Sequence, residues 1–219
     1  VNTLGVDLST RKTGLALLCT PGAGGEFPEL KLPGKHWLVC QWEGFRYYGA
    51  VALRGEGSMR QQTEDILFPV LEWARHAHHI VIEGYAYAAN QQYKDANVEL
   101  GGVIRYFLRT KELAPRTVSP KSLKKFIAGN GNADKVKMLA AVQASGMPIV
   151  DDNMADAFGL ARIGHALQLP ESDYLNFHHT EREALMAIKY PAERKRKRKQ
   201  KEKPVLWSDA ANGNWESRP

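Results

Sequence analysis

Four acidic residues stand where an acid is costly unless something offsets it. Asp7 interrupts the apolar run TLGVDLS, Glu83 ends the apolar run HIVIE, and Asp156 lies inside DDNMADAFGLARIGHAL, a stretch with helical spacing. At 3.6 residues per turn Asp156 shares a stripe with Leu160, Ile163 and Leu167, which aims it at the interior. A carboxylate placed there needs a partner, a metal or a raised pKa to balance desolvation. Asp152, four residues earlier, projects from the same face, and two acids side by side repel unless a cation sits between them. Asp151 or Asp152 could instead be an N-cap that accepts a first-turn N–H, but Asp156 is too far into the helix for that role. Taken singly, Asp7 and Glu83 also fit strand-end charges that reach water. If the helix packs beside the first strand, Asp7, Glu83, Asp152 and Asp156 become four oxygen donors with no histidine or cysteine, a set suited to Mg²⁺ or Mn²⁺ rather than zinc. Two such ions about 4 Å apart activate a water and stabilise the leaving oxygen in phosphodiester hydrolysis.

Positioning these acids falls to the surrounding elements. Strand alternation over residues 3–9 puts Leu4, Val6 and Leu8 on one face and Gly5, Asp7 and Ser9 on the other. A turn and a second strand follow in TRKTGLALL, then a Gly/Pro-rich loop, TPGAGGEFPELKLPG, over residues 20–34. HWLVCQW and FRYYGAVAL read as a strand pair joined near Glu43 and Gly44. The spacing predicts a helix over residues 58–78, interrupted or kinked at Pro69. HIVIE follows as a buried-type strand whose carboxyl end carries Glu83, and open α/β sheets place ligands at such ends. Residues 95–111 predict a helix with Val98, Leu100, Ile104 and Leu108 on one side and Gly101-Gly102 allowing close packing. APRTVS returns as a strand, and SPKSLKKFIAG starts a helix with Ser119 as N-cap and Pro120 at N1. NADKVKMLAAVQASG adds a helix closed by Gly146, and an amphipathic piece covers residues 181–189. Strands come first, then strands alternating with helices, with no internal repeat. That order predicts an α/β domain with a mixed sheet and helices on both faces.

The chain has 219 residues and 43% hydrophobic content, enough for one ordinary domain plus extras. It has no run of 18 apolar residues and no basic-then-apolar start, so a soluble, intracellular, cytoplasmic protein is expected. Cys19 and Cys40 make no CxxC and no zinc-ligand spacing and are expected to be reduced. RHAHH and the pair His178-His179 lack a cysteine partner or an HExxH pattern and read as surface or helix-end histidines. The net charge of +6 is local: RKRKRKQKEK at residues 194–203 carries eight cations and one acid, which leaves the rest near −1. Such a block reads as a disordered arm that neutralises phosphates by counterion release, with Arg194, Lys195, Arg196, Lys197, Arg198 and Lys199 as its DNA contacts. No G-x-x-x-x-G-K-[ST] is present, which removes a P-loop ATPase.

GVDLSTRKTGLAL, VIEGYAYAAN, SPKSLKKFIAGNGNADKVK and DDNMADAFGLA occur in the order and at the separations of RuvC-like Holliday junction resolvases, and the resemblance spans about residues 1–169. It implies an RNase H-like fold with a mixed five-stranded sheet, and a homodimeric, Mg²⁺-dependent endonuclease that nicks two strands of a four-way DNA junction symmetrically. By position, Asp7 matches the first-strand ligand, Glu83 the strand-end ligand and Asp156 the last aspartate of the acidic helix. Lys124 and Lys135 fall where the family carries lysines near the scissile phosphate, flanking the Gly129-Asn130-Gly131 turn, with Lys121, Lys125 and Lys137 beside them for DNA. Tyr85 and Tyr87 stand where the family has an aromatic near the junction centre, suited to stacking on a base. Asn153 occupies a position where members often have an acid, so either Asp152 substitutes as the fourth ligand or it caps the helix and three carboxylates remain. The segment at residues 20–57 is longer than the family core requires, and residues after 169 have no family counterpart: a helical extension over 170–192 and a basic, disordered tail over 193–219. Extras of this kind suit a bacteriophage member. GVDLSTRKTGLAL also resembles the first phosphate loop of the actin and sugar-kinase group, which needs a second such loop and a longer chain. An RNase H-like nuclease acting on RNA–DNA hybrids or on branched DNA generally and a non-catalytic DNA-binding module are the competing functions.

Overall fold

The computed structural model describes residues 1–21, 37–84 and 91–191. Its strands are β1 (Asn2–Asp7), β2 (Lys12–Cys19), β3 (Trp37–Trp42), β4 (Phe45–Leu53), β5 (His79–Glu83) and β6 (Arg116–Val118). Its α-helices are α1 (Met59–Ala74), α2 (Gln91–Thr110), α3 (Pro120–Ala128), α4 (Lys135–Ala144), α5 (Asp152–Ala166) and α6 (His179–Lys189). The sheet order is β3-β4-β2-β1-β5-β6, antiparallel through the first four strands of the chain and parallel for β1-β5 and β5-β6. The mixed α/β sheet expected from the sequence is present, with six strands where the family resemblance implied five. The edges of the sheet are β3 on one side and the three-residue β6 on the other.

Local chemistry explains most boundaries. Glu43 and Gly44 both have positive φ, 46° and 83°, as a two-residue hairpin turn between right-twisted strands requires. Ser58 caps α1 by accepting from Gln61 N, and the helix runs through Pro69 without ending there. Ser119 caps α3 with Pro120 behind it, Asp134 caps α4, and Gly146 takes the left-handed conformation after that helix. In α2, Leu100, Ile104 and Leu108 are buried as the spacing predicts, but Val98 is exposed because two residues before Leu100 is about halfway around the helix, on the opposite side. A 3-10 turn, Glu171–Asn176, unmarked by any apolar period, links α5 to α6.

Alternation in β1 and β5 sends side chains into two separate cores. Leu4, Val6, Ile80 and Ile82 pack with Ile66, Val70, Trp73 and Ile104 of α1 and α2 on one face. On the other face α5 lies against the sheet: Ala157, Phe158 and Ala161 pack with Ala16, Leu18 and Tyr47, while Leu160 and Ile163 join Val81 and residues of α3, α4 and α6. Cys19 and Cys40 are free thiols. Among the described residues no helix is long and apolar enough to cross a membrane.

Candidate active site

The register of β1 on β5 pairs Val6 with Ile82, and the next residue on each strand is Asp7 and Glu83. Two acids thus end neighbouring parallel strands at their carboxyl ends. They share a face, because Gly5 and Val81, each two residues earlier, both touch α5. α5 can lie that close only where the sheet lacks side chains. A methyl at Gly5 would overlap Ala157 O and stand 2.5 Å from Ala161 N, and one at Gly14 would overlap Asn153 O. Gly14 is the cross-strand partner of Asp7, whereas Gly164, near the far end of α5, faces Thr3. The helix therefore runs opposite to β1, and its first turns, with Asp152 and Asp156, reach the end of β1 that carries Asp7.

Crowding shows in the acidities. Asp7 is 8% exposed. Burial, then the charges of Glu83 and Asp156 and a hydrogen bond with Glu83, push its carboxyl well above the usual carboxylate range, against the pull of Lys135. Glu83 is pushed up to about 7 by burial and by Asp156, with the hydrogen bond to Asp7 and the charges of Lys124 and Lys135 opposing. Asp156 rises to about 6, through burial and Asp152, while Lys135 and Lys124 hold it down. Burial and mutual repulsion disfavour simultaneous ionisation of these three carboxylates, and Asp7 and Glu83 share a hydrogen bond.

The two acids that open the helix divide the remaining roles. Asp151 is the N-cap: its Oδ1 accepts from Asn153 N at 3.0 Å and Met154 N at 3.2 Å, and its Oδ2 accepts from Lys12 Nζ. Asp152 is the first helical residue and pairs with Lys135. Burial would raise Asp152, but the hydrogen bond and charge of Lys135 bring it below its ordinary value. Of the two candidate caps, then, Asp151 takes the role, and Asp152 pairs with Lys135 and acts on Asp156. Asn153 donates to Asp152 Oδ1 at 3.1 Å and lays its carbonyl over Gly14.

Lys124 on α3 and Lys135 at the start of α4 both lower the pKa of Glu83 and Asp156. Lys121 is exposed in the first turn of α3. Lys125 pairs with Glu183 at 2.6 Å and Lys137 with Asp134 at 3.7 Å, so both have protein partners of their own. Tyr85, Tyr87 and the basic residues Arg194 to Lys199 lie outside the described residues. Among the described residues, no three acidic, histidine or cysteine side chains converge on one point at metal-ligand range, although the acids are near enough to shift one another. Their donor chemistry fits a hard divalent cation: three mutually repelling carboxylates, with lysine and a shared hydrogen bond offsetting the charge. Sequence reasoning missed Lys12 and the seat formed by Gly5 and Gly14. The only signal for the latter was glycine inside a strand pattern, which marks close backbone approach.

No family model matches the chain, and no curated protein does. Solved structures do. Thermus thermophilus RuvC matches with a TM-score of 0.54 at 15% identity, covering 74% of this chain and 91% of that one. T. thermophilus RuvC in complex with a Holliday junction substrate matches with a TM-score of 0.52 at 17% identity, covering 75% and 94%. These superpositions show that the chain has the α/β fold of the RuvC structures, which is RNase H-like.

Proposed function

We propose that this chain is a divalent-metal-dependent endonuclease that resolves four-way DNA junctions by paired symmetric nicks. The observation that carries the reading is the meeting of Asp7, Glu83 and Asp156 at the carboxyl end of β1, where Glu83 and Asp156 push the pKa of Asp7 up and Asp156 pushes that of Glu83 up. A structural role would be served better by neutral side chains, since burying like charges together only destabilises the fold. Asp7, Glu83, Asp156 and, once released from Lys135, Asp152 would hold Mg²⁺ or Mn²⁺ through oxygen alone. Two such ions supply an activated water and charge neutralisation at the phosphate. Lys124 and Lys135 stand beside the acids, where an ammonium takes up the charge that phosphate oxygens gain in the transition state. Lys121 continues the cationic surface along α3, and the basic run from Arg194 adds sequence-independent affinity by neutralising phosphates. Two cuts related by symmetry require two such sites, hence a homodimer with a twofold axis.

A synthetic four-way junction, incubated with wild-type protein in Mg²⁺ and then Mn²⁺, tests the reading. Cutting should be metal-dependent and should vanish in Asp7→Asn, while junction binding survives. Binding without cutting in either metal, or an Asp7→Asn protein that cuts at the wild-type rate, would refute it. RNA–DNA hybrid and linear duplex arms in the same assay separate a junction enzyme from a hybrid nuclease.

A further inference from the structure

We infer that Lys12 and Asp151 form a positioning clamp, which fixes the first turn of α5 on the β1–β2 turn and so sets where Asp152 and Asp156 present their carboxylates. The inference rests on the metal-dependent nuclease reading, yet Lys12 and Asp151 belong to neither its ligands nor its phosphate-binding lysines. The turn that carries Lys12 is itself held at several points. Ser9 N donates to Thr13 Oγ1 at 3.2 Å and Thr13 Oγ1 donates back to Ser9 O at 2.8 Å. Thr10 N donates to Asn97 Oδ1 of α2 at 2.9 Å, and Arg54 N to Arg11 O at 3.1 Å. Lys12 therefore leaves a braced platform.

From there its ammonium reaches the one carboxylate that also caps α5, so a single side chain joins the platform to the helix start. Asn153 O resting over Gly14 adds a steric stop beside it. Asp152 follows Asp151 directly, and Asp156 lies one turn further along the same face. A rotation or slide of that first turn would carry both acids away from Asp7 and Glu83. Lys12 acts on the site through Asp151, with which its ammonium pairs, while Asp152 pairs with Lys135 instead.

The test measures Mn²⁺ binding to the DNA-free full chain by electron paramagnetic resonance and single-turnover cutting of the junction. It uses Lys12→Met, Lys12→Arg, Asp151→Asn and the double variant Lys12→Met/Asp151→Asn. Asparagine still caps a helix, so Asp151→Asn removes the ion pair and keeps the cap. Lys12→Met and Asp151→Asn should each weaken Mn²⁺ binding and slow single-turnover cutting about tenfold, the loss typical of removing a group that orients a ligand. Junction affinity should hold, the double variant should be no worse than either single one, and Lys12→Arg should stay within about twofold of wild type. A fall in melting temperature with Mn²⁺ affinity and turnover unchanged would overturn the clamp, as would additive losses. Tighter Mn²⁺ binding in Lys12→Met would also overturn it, by making Lys12 merely a competing charge. Wild-type protein that binds Mn²⁺ but never cuts would defeat the nuclease reading and leave the clamp standing on its Mn²⁺ result. Wild-type protein that binds no Mn²⁺ would defeat both.

Discussion

Replacing Glu83 by glutamine should stabilise the protein, provided that divalent ions are chelated and the pH is above neutral. Glu83 ionises at about 7 in the fold against an ordinary value of 4.5, because burial and the charge of Asp156 disfavour its anion. Below about pH 4.5 the carboxyl is protonated in both folded and unfolded chains, and its burial carries no ionic cost. Between 4.5 and about 7 the folded protein holds the proton longer than the unfolded chain does, so stability falls as pH rises. At pH 8 the group is ionised in both states and the folded state bears the whole penalty. A shift from 4.5 to about 7 corresponds to about 3 kcal/mol, at 1.36 kcal/mol per pH unit. Glutamine keeps the shape, carries no charge and can donate to Asp7, which it also relieves of a repelling neighbour. Urea denaturation in EDTA should therefore give Glu83→Gln an advantage of about 3 kcal/mol at pH 8, shrinking to near zero at pH 4. An equal or lower stability at pH 8, or a difference that does not change with pH, would refute the claim that this acid is held at an energetic cost.

The seat of α5 makes a second prediction: Gly5→Ala should cost about 3 kcal/mol and lower the melting temperature by about 6–12 °C, since the colliding atoms are helix backbone. Gly102→Ala is its control; with open space around that position, it should stabilise α2 by about 0.5–1 kcal/mol. Mn²⁺ affinity, followed by titration calorimetry, should rise with pH through the range of about 6 to 7, because Glu83 and Asp156 must give up protons to bind. A pH-independent affinity would remove those two acids from the binding set. Deleting the chain from Arg194 onward should weaken binding to all DNA alike, and the slope of log affinity against log salt should flatten by about 0.9 for each phosphate that the arm no longer neutralises.

Much of this protein was legible in one dimension, because the signals involved are local. The period of two in TLGVDLS placed Asp7 opposite Leu4 and Val6, and the structure puts it on the α5 face while those residues enter the other core. The period of 3.6 around Leu160 and Ile163 aimed Asp156 inward, and it lies beside Asp7 and Glu83. Turn residues at 43–44 and caps at Ser58 and Ser119 likewise needed only their immediate neighbours. Val98 was misplaced, since apolar character alone does not put a residue on the buried face, and two residues before Leu100 lies on the opposite side of the helix.

What no local signal could decide is which distant groups meet. Whether Asp151 or Asp152 caps α5 turns on two lysines 139 and 17 residues away, Lys12 and Lys135, whose positions follow from the packing of α5 and α4 on the sheet. The chain's own residue types and periods determined that acids would be buried and roughly where. Tertiary structure alone decided that Asp7 and Glu83 end paired parallel strands, and that glycines at 5 and 14 let a helix come near enough for Asp156 to join them. The physical reason is range: side-chain periodicity is set by backbone geometry within a few residues, whereas electrostatic coupling depends on distances that only the assembled sheet and helices establish.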